Sequence, residues 1–177
     1  MNHSDHVNLL RGAQLSPGGT WADLGAGTGA FTMALRELVG PHAVIYAVDK
    51  DRSSLTKLRA GYERRFGEAS GLQVLQVDFH ALLGLPPLDG ALMANSLHFF
   101  KEASAVIRQV RGLLKPGGML LLVEYNVDKG NPWVPYPLSF GSFKSVATAA
   151  GFEEPRLVAT HPSSFLREFY SASARTR

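Results

Sequence analysis

Short apolar runs alternate along this chain with segments in which apolar residues recur every three or four positions. The runs at about 21–24, 43–48, 72–77, 90–95 and 119–125 predict five buried strands. The helical period between them, as in Phe31, Ala34, Leu35 and Leu38, predicts helices that cross from one strand to the next. This alternation predicts βαβ units and therefore a doubly wound, parallel α/β sheet.

The C-terminal part of the chain departs from this alternation. A helix predicted at about 140–150 precedes a strand at 156–160, a turn at His161–Ser163 and a strand at 165–172. Two strands joined so closely must be antiparallel, because a parallel pair needs a crossover of about a dozen residues. We therefore expect a Rossmann-like sheet of seven strands, mostly parallel, with an antiparallel C-terminal strand. Elsewhere, Lys115–Gly118 predicts a type II turn, and Ser53 and Ser54 are candidate helix caps.

A glycine-rich turn follows the first predicted strand. Gly25, Gly27 and Gly29 let the backbone turn tightly and bring its amides against a ligand. Gly25, Gly27 and Ala30 also satisfy the dinucleotide fingerprint, so an NAD-binding loop is an alternative. Asp23, two residues before the first glycine, would repel a pyrophosphate and favours a cationic ligand such as S-adenosylmethionine.

Polar residues stand at the ends of the predicted strands, where ligands of open α/β sheets bind. Asp23, Asp49, Asp78 and Asn95 are such residues. Asp49 lies 20 residues after Gly29, near the distance at which an acid accepts both hydroxyls of a ribose. NAD would use an acid at this place as well, and helix capping is the structural alternative for Asp49 and Asp78.

Four segments in the expected order resemble the class I S-adenosylmethionine-dependent methyltransferases, of the small-molecule type exemplified by quinone-biosynthesis C-methyltransferases. The resemblance covers roughly residues 15–172 and rests on Asp23–Gly29, Ala47–Asp49, Val77–Phe79, and Asn95–Phe99 with Leu114–Gly118 beyond it. It implies that Asp78 binds the adenine amino group, that the Phe79 amide meets the ring, and that Asp23 anchors the methionine end. The cofactor-binding residues so predicted are Asp23, Gly25, Gly27, Gly29, Asp49, Lys50, Asp78, Phe79 and Asn95.

Methyl transfer from a sulfonium needs mainly alignment of the nucleophile, and a base only where the nucleophile must lose a proton. His98 follows the fourth strand and is the candidate base; packing beside Phe99 and Phe100, or orientation of the substrate, is the alternative. Glu124 is a carboxylate inside an apolar run and must find a partner there. The predicted substrate-binding residues are His98, Glu124, Tyr125, Trp133 and Tyr136. The stretch 131–138 could instead cover the sheet edge or form a dimer contact.

Composition narrows the class of protein. The 177 residues contain no cysteine, which excludes a disulfide scaffold and a thiolate site. The histidines other than His98 are scattered without ligand spacing, so we expect no metal: His3, His6, His42, His80 and His161. The net charge of +3 is scattered, and the cluster Arg59, Arg64 and Arg65 is typical of a solvated helix face rather than of a nucleic-acid surface. The sequence shows neither a signal peptide nor an apolar run that could span a membrane, and this favours a cytoplasmic protein.

These observations predict transfer of a methyl group from S-adenosylmethionine to a small-molecule acceptor. The alternatives are a cofactor-binding partner subunit without catalysis and an NAD-dependent oxidoreductase. We expect a short helical segment at 1–15, a methyltransferase domain at 16–177, and a monomer or homodimer. Because the segment before Ser16 is short, we expect an active site that is open or completed by a partner chain.

Overall fold

A seven-stranded sheet flanked by helices on both faces forms the body of the protein. The computed structural model describes residues 1–67, 71–78 and 84–177. Within these ranges the strands are β1 (Thr20–Leu24), β2 (Val44–Asp49), β3 (Leu72–Gln76), β4 (Leu88–Ala94), β5 (Leu114–Tyr125), β6 (Arg156–Pro162) and β7 (Glu168–Arg175). The helices are α1 (His3–Arg11), α2 (Ala30–Val39), α3 (Arg52–Phe66), α4 (Ala103–Leu113) and α5 (Phe140–Ala149), with a 3₁₀ turn at Leu97–Phe99.

The strand order is β3-β2-β1-β4-β5-β7-β6. Strands β1 to β5 pair in parallel, and β7 is antiparallel to both β5 and β6. The predicted fold class is therefore confirmed, including the reversed last strand. The chain runs outward from β1 to β3 and then returns to β4 on the other side of β1, and this reversal opens a crevice at the carboxyl ends of β1 and β4.

Alternate residues of the central strands pack against different helices. On β5, Leu120 and Leu122 belong to the core under α4 and α5, whereas Leu121 and Val123 belong to the core under α1 and α2. All four are almost completely buried, as a central strand covered on both faces requires. The sheet is therefore a rigid platform, and its carboxyl end is where loops project.

The predicted turn at His161–Ser163 is wrong. His161 and Pro162 belong to β6, where they pair with Phe169 and Glu168, and the turn that follows closes with Ser163 N donating to Arg167 O at 2.9 Å. A proline at the end of an edge strand costs no ladder bond, so the strand continues through it. Phe165 is consequently an exposed turn residue and not part of β7.

Two smaller expectations are also corrected. Asp51, rather than Ser53 or Ser54, is the N-cap of α3, and its carboxylate accepts the amides of both serines. Strand β5 begins at Leu114 instead of Met119, because Leu114 pairs with Leu88 before the register shifts. Gly117 within this segment has φ +75°, which is the conformation that the predicted type II turn requires.

Helix α1 lies within the segment predicted to be helical and packs its buried residues Val7, Leu9 and Leu10 into the same core cluster as α2. The division of the chain at residue 15 stays a prediction. Across the described ranges, none of the helices has the length and apolar character needed to cross a bilayer.

Candidate cofactor and catalytic site

The glycine-rich turn between β1 and α2 is held against the end of β2. The amides of Gly25 and Ala26 both donate to Val48 O, at 2.8 and 3.0 Å. Gly25, Gly27 and Gly29 all have positive φ, which glycine adopts without strain. A Cβ on Gly29 would lie 2.5 Å from Leu58 Cγ, so the third glycine permits close packing of α3. A Cβ on Gly27 would meet no atom of the described residues within 4 Å.

A cavity of about 510 Å³ opens at the carboxyl ends of the strands. It brings together six of the predicted cofactor-binding residues: Gly25, Gly27, Asp49, Lys50, Asp78 and Asn95. Phe99 and Phe100 form part of its apolar wall. Gly29 and Asp23 are not among its lining residues, and Phe79 lies outside the described residues. Residues from four separate segments of the sequence, between positions 25 and 95, therefore converge on one volume.

Asp49 fixes the glycine-rich turn from the end of β2. Its Oδ2 accepts the Gly27 amide at 2.8 Å, and its Oδ1 accepts the Asp51 amide at 2.9 Å. The cap of α3 is Asp51, so Asp49 does not fill the capping role that sequence left open. Its carboxylate is half-buried, lines the cavity and keeps the turn in place beneath any ligand.

Asp23 is a buried carboxyl with only one of its oxygens satisfied. Oδ2 accepts the Thr32 hydroxyl at 2.6 Å, whereas Oδ1 is buried and has no hydrogen-bond partner among the described residues. Burial raises the pKa of Asp23 to about 7, against the lowering effect of the Thr32 hydroxyl, and the neighbouring Asp49 carboxylate adds to the rise. A cationic group beside Oδ1 would satisfy the orphan oxygen and return the carboxyl to its charged form.

Asn95 supplies a second orphan oxygen. Its Oδ1 is buried and has no partner within the part of the chain that the structure describes, and its backbone lies in the left-handed region at φ +52°. Asn95 lines the large cavity and also a neighbouring one of about 270 Å³, which it shares with Asp23, Gly27 and His6. Native proteins satisfy nearly all buried acceptors, so two unsatisfied oxygens around one cavity indicate a place for a ligand with N–H donors.

His98 and Glu124 form a buried pair at the ends of β4 and β5. Nδ1 of His98 lies 3.0 and 2.9 Å from the two carboxylate oxygens, and the His98 amide also donates to Glu124 Oε1 at 3.1 Å. We assign the ring proton to Nδ1, because only that tautomer donates to the carboxylate. None of the described residues hydrogen-bonds Nε2, which is therefore left as a proton acceptor. His98 is therefore the partner that the sequence predicted the Glu124 carboxylate to need.

The other predicted substrate-binding residues lie around this pair. The Tyr125 ring centroid is 6.1 Å from that of His98, and burial raises the pKa of Tyr125, with Glu124 adding to the rise. The Tyr136 amide donates to His98 O at 3.0 Å, and the side chains of Tyr136 and Trp133 are exposed. Glu124 is fully buried below His98, so its part in substrate contact stays a prediction.

Residues 22–120, more than half of the chain, match the methyltransferase domain family. The chain belongs to this family. Mouse (Mus musculus) acetylserotonin O-methyltransferase is 32% identical over 125 residues, which are 69% of this chain and 32% of that protein. The ubiquinone/menaquinone biosynthesis C-methyltransferase of Ectopseudomonas mendocina is 31% identical over 120 residues, or 66% of this chain and 45% of that protein. The chain thus spans less than half the length of these two relatives.

A solved methyltransferase has the same fold. The magnesium protoporphyrin IX methyltransferase of Synechocystis PCC 6803, solved with bound S-adenosylmethionine, superposes with a TM-score of 0.75 at 17% identity. The match covers 99% of this chain and 78% of that one. The resemblance to class I methyltransferases drawn from the four sequence segments is confirmed.

Several residues of this methyltransferase domain site escaped the sequence analysis. Thr32 is one turn into α2 and reaches back to Asp23, and the Ser96 hydroxyl donates to Leu24 O at 2.8 Å across the crevice. His6 reaches the smaller cavity from α1, and Phe165 reaches the surface near Tyr125. The local sequence around these residues gives no signal that would predict the contacts. Over the described ranges, no group of three or more His, Cys, Asp or Glu side chains is placed to hold a metal ion.

Proposed function

We propose that this chain binds S-adenosylmethionine in the crevice at the carboxyl ends of β1, β2 and β4 and transfers its methyl group to a small-molecule acceptor. The observation that carries the proposal is the convergence of the glycine-rich turn, Asp49 and Asn95 on one cavity of about 510 Å³. Membership of the methyltransferase domain family supports it, as do the names of the relatives.

The orphan polar atoms fit the amino-acid end of such a ligand. Asp23 Oδ1 and Asn95 Oδ1 accept no hydrogen bond from residues 1–67, 71–78 or 84–177, and an ammonium group carries three N–H donors. A buried carboxyl near a second carboxylate is also a poor neighbour for a pyrophosphate, which is anionic. The site therefore favours a cationic ligand over a dinucleotide.

The nucleoside end fits the larger cavity. Asp49 is half-buried beside Gly27, and charged carboxylate oxygens accept hydroxyl hydrogens strongly. Val77, Met93 and Phe100 line the same cavity and provide an apolar wall for a purine ring. The roles of Lys50, Asp78 and Phe79 stay predictions, as does the contribution of Gly29 to cofactor binding.

When bound, S-adenosylmethionine supplies an electrophilic methyl group on its sulfonium sulfur. His98 would take the proton of an acceptor hydroxyl on Nε2, while the acceptor oxygen forms its bond to the methyl carbon and the carbon–sulfur bond breaks. Glu124 holds the imidazole in the required tautomer and stabilises the cation that forms on it. The buried setting of the pair excludes water from the proton transfer.

The alternative function is a partner subunit that binds the cofactor without catalysis. Measured methyl transfer would distinguish the enzyme from such a subunit. Nothing in the fold or the family favours the NAD-dependent oxidoreductase. Calorimetric titration with S-adenosylhomocysteine and NADH tests the binding step, and a screen of acceptors with a labelled methyl donor tests transfer. Saturable binding of S-adenosylhomocysteine with no methylated product from any acceptor would favour the partner subunit. The cytoplasmic location and the monomeric or homodimeric state stay predictions.

A further inference from the structure

An exposed group of aromatic side chains adjoins the His98–Glu124 pair. Among the described residues, six large apolar side chains are exposed. Three of them, Phe99 at 62%, Trp133 at 72% and Phe165 at 50%, are linked to this group by ring contacts, and a fourth, Tyr136 at 44%, lies on the same loop as Trp133. Isolated exposed apolar side chains are ordinary, but a contiguous patch marks a binding surface. We call these four residues, together with the half-buried Tyr125, the aromatic shelf.

The shelf is continuous with the proposed active site through ring contacts. Phe99 lines the large cavity, and its ring centroid is 4.3 Å from that of His98. Tyr125 lies 6.1 Å from His98 on one side and 6.1 Å from Phe165 on the other. Phe165 in turn contacts Trp133 at 6.2 Å, with the two rings nearly perpendicular. The rings therefore lead from the cavity wall past the base to the outer surface.

Hydrogen bonds within the protein hold the loop that carries Trp133. Asn131 Oδ1 accepts the amides of both Trp133 and Val134 at 2.9 Å, and Val134 is buried. The Tyr136 amide is bonded to His98 O, so the loop is anchored to the catalytic residue itself. An exposed indole on a fixed loop contacts a ligand without a large ordering cost.

We infer that the aromatic shelf is the binding site of the methyl acceptor and that it selects planar aromatic compounds bearing a hydroxyl group. The inference rests on the proposed function. Aromatic faces and edges stabilise a flat ring beyond the area that is buried, and a saturated ring of equal size lacks that contribution. An aromatic hydroxyl is also acidic enough, with a pKa of about 10 as in tyrosine, for a neutral imidazole to assist its ionisation.

Nuclear magnetic resonance offers a direct test, because the chain has only two tryptophans and therefore two indole N–H signals. Trp21 is buried at the opposite end of the sheet, whereas Trp133 is on the shelf. The probes are 2-naphthol and its saturated counterpart decahydro-2-naphthol, each added to ¹⁵N-labelled protein in the presence of S-adenosylhomocysteine. We expect 2-naphthol to shift the Trp133 signal in a saturable manner and to bind about tenfold more tightly than the saturated alcohol.

Two variants and a control complete the test. Trp133→Leu and Phe165→Leu should each weaken 2-naphthol binding by about three- to tenfold, measured by calorimetry. Leu157→Ala is the matched control, because Leu157 is equally exposed, at 50%, on β6 away from the shelf. Affinity in that control should equal that of the unaltered chain, and S-adenosylhomocysteine should bind all of the variants equally.

Equal binding of the two alcohols, or unchanged 2-naphthol affinity in both shelf variants, would overturn the inference. A Trp133 signal that moves with protein concentration, together with a dimer that Phe165→Leu dissociates, would also overturn it and make the shelf an interface between copies. Failure of S-adenosylhomocysteine to bind would instead refute the proposed function, and saturable 2-naphthol binding under that condition would leave the shelf as an aromatic site.

Discussion

The two ends of the sheet differ in how fully their carboxylates are hydrogen-bonded and in the direction in which their pKa values are shifted. At the amino end, Asp89 of β4 accepts the Lys115 ammonium through both oxygens at 2.9 Å and the Thr20 amide at 2.8 Å. At the carboxyl end, Asp23 of the adjacent strand β1 is more deeply buried, and none of the described residues donates to its second oxygen. The bonds from Lys115 and Thr20 lower the pKa of Asp89, whereas burial raises that of Asp23.

This contrast indicates that Asp89 has a structural role and that Asp23 is available to bind a ligand. In the paired acid, Asp89, both carboxylate oxygens already accept hydrogen bonds from the protein. An acid buried without its full set of donors costs stability, and proteins retain such groups mainly at functional sites. The acid at the amino end of the sheet is therefore paired within the fold, whereas the carboxyl end carries the proposed chemistry.

The largest expected effect is that of His98→Ala. Loss of the base should lower turnover by about 10²–10⁴-fold, while the affinity for S-adenosylhomocysteine stays within about twofold. The matched control is His42→Ala, since His42 is exposed at the amino end of β2. Steady-state rates across pH 6 to 9 with an identified acceptor provide the measurement. Full activity in His98→Ala would remove the residue from the mechanism.

The next effect is that of Gly27→Val on cofactor binding. The new side chain would occupy cavity space and resist the positive φ, so affinity for S-adenosylhomocysteine should fall by at least about 100-fold, or roughly 3 kcal/mol.

Gly40→Val separates backbone strain from this loss. Gly40 also has positive φ and open space around it, but it lies at the end of α2 away from the cavity. The control should lose stability in thermal unfolding and keep its affinity. Normal calorimetric affinity in Gly27→Val would refute the assignment of the glycine-rich turn.

A smaller effect is expected for Asp49→Ala. Removing a charged acceptor should weaken S-adenosylhomocysteine binding by roughly 1.5–3 kcal/mol, because both the proposed ribose contact and the anchor of the Gly27 amide are lost. Asp51→Ala should instead destabilise α3 by about 0.5–2 kcal/mol and leave binding intact. Reversal of these two outcomes, measured by calorimetry and by denaturant unfolding, would exchange the roles of the two acids.

The smallest effect is the dependence of binding and stability on pH. If a ligand ammonium pairs with ionised Asp23, affinity for S-adenosylhomocysteine should fall by up to about tenfold per pH unit below about 7, and the affinity of Asp23→Asn should not change with pH in that range.

Without ligand, the free energy of unfolding depends on pH with opposite sign for the acids at the two ends of the sheet. The stability contribution of Asp23 is lost as pH rises from about 4 to about 7, because the folded state holds that proton more tightly.

Asp89 gives the opposite sign. The pKa of its paired carboxylate is lowered, so its contribution is present above pH 3.8 and is lost as pH falls below that value. Unfolding free energies of Asp23→Asn and Asp89→Asn, measured relative to the unaltered chain from pH 3 to 8, check both signs. The same sign for the two variants would remove the distinction between the two ends.

The local sequence pattern was sufficient to predict the fold and the residues at the ends of β1, β2 and β4. The apolar run of β5, the glycine-rich turn and the acids at strand ends follow from propensity, periodicity and the geometry of parallel sheets. Sequence could also tell that Glu124 needs a partner, because a lone carboxylate in an apolar strand is costly.

The identity of each partner was beyond local pattern. His98 and Glu124 are 26 positions apart and meet only because β5 lies beside β4. Thr32 reaches Asp23 because the turn folds α2 back over β1, and Phe165 joins the aromatic shelf because β6 runs on through Pro162. Such contacts depend on strand order and register, which a single sequence does not display.

Calorimetric titration of the chain with S-adenosylhomocysteine and, separately, with NADH tests the central claim most directly, because it needs no knowledge of the acceptor. We predict saturable binding of one S-adenosylhomocysteine per chain and no saturable binding of NADH. Saturable binding of NADH without any response to S-adenosylhomocysteine would contradict the account.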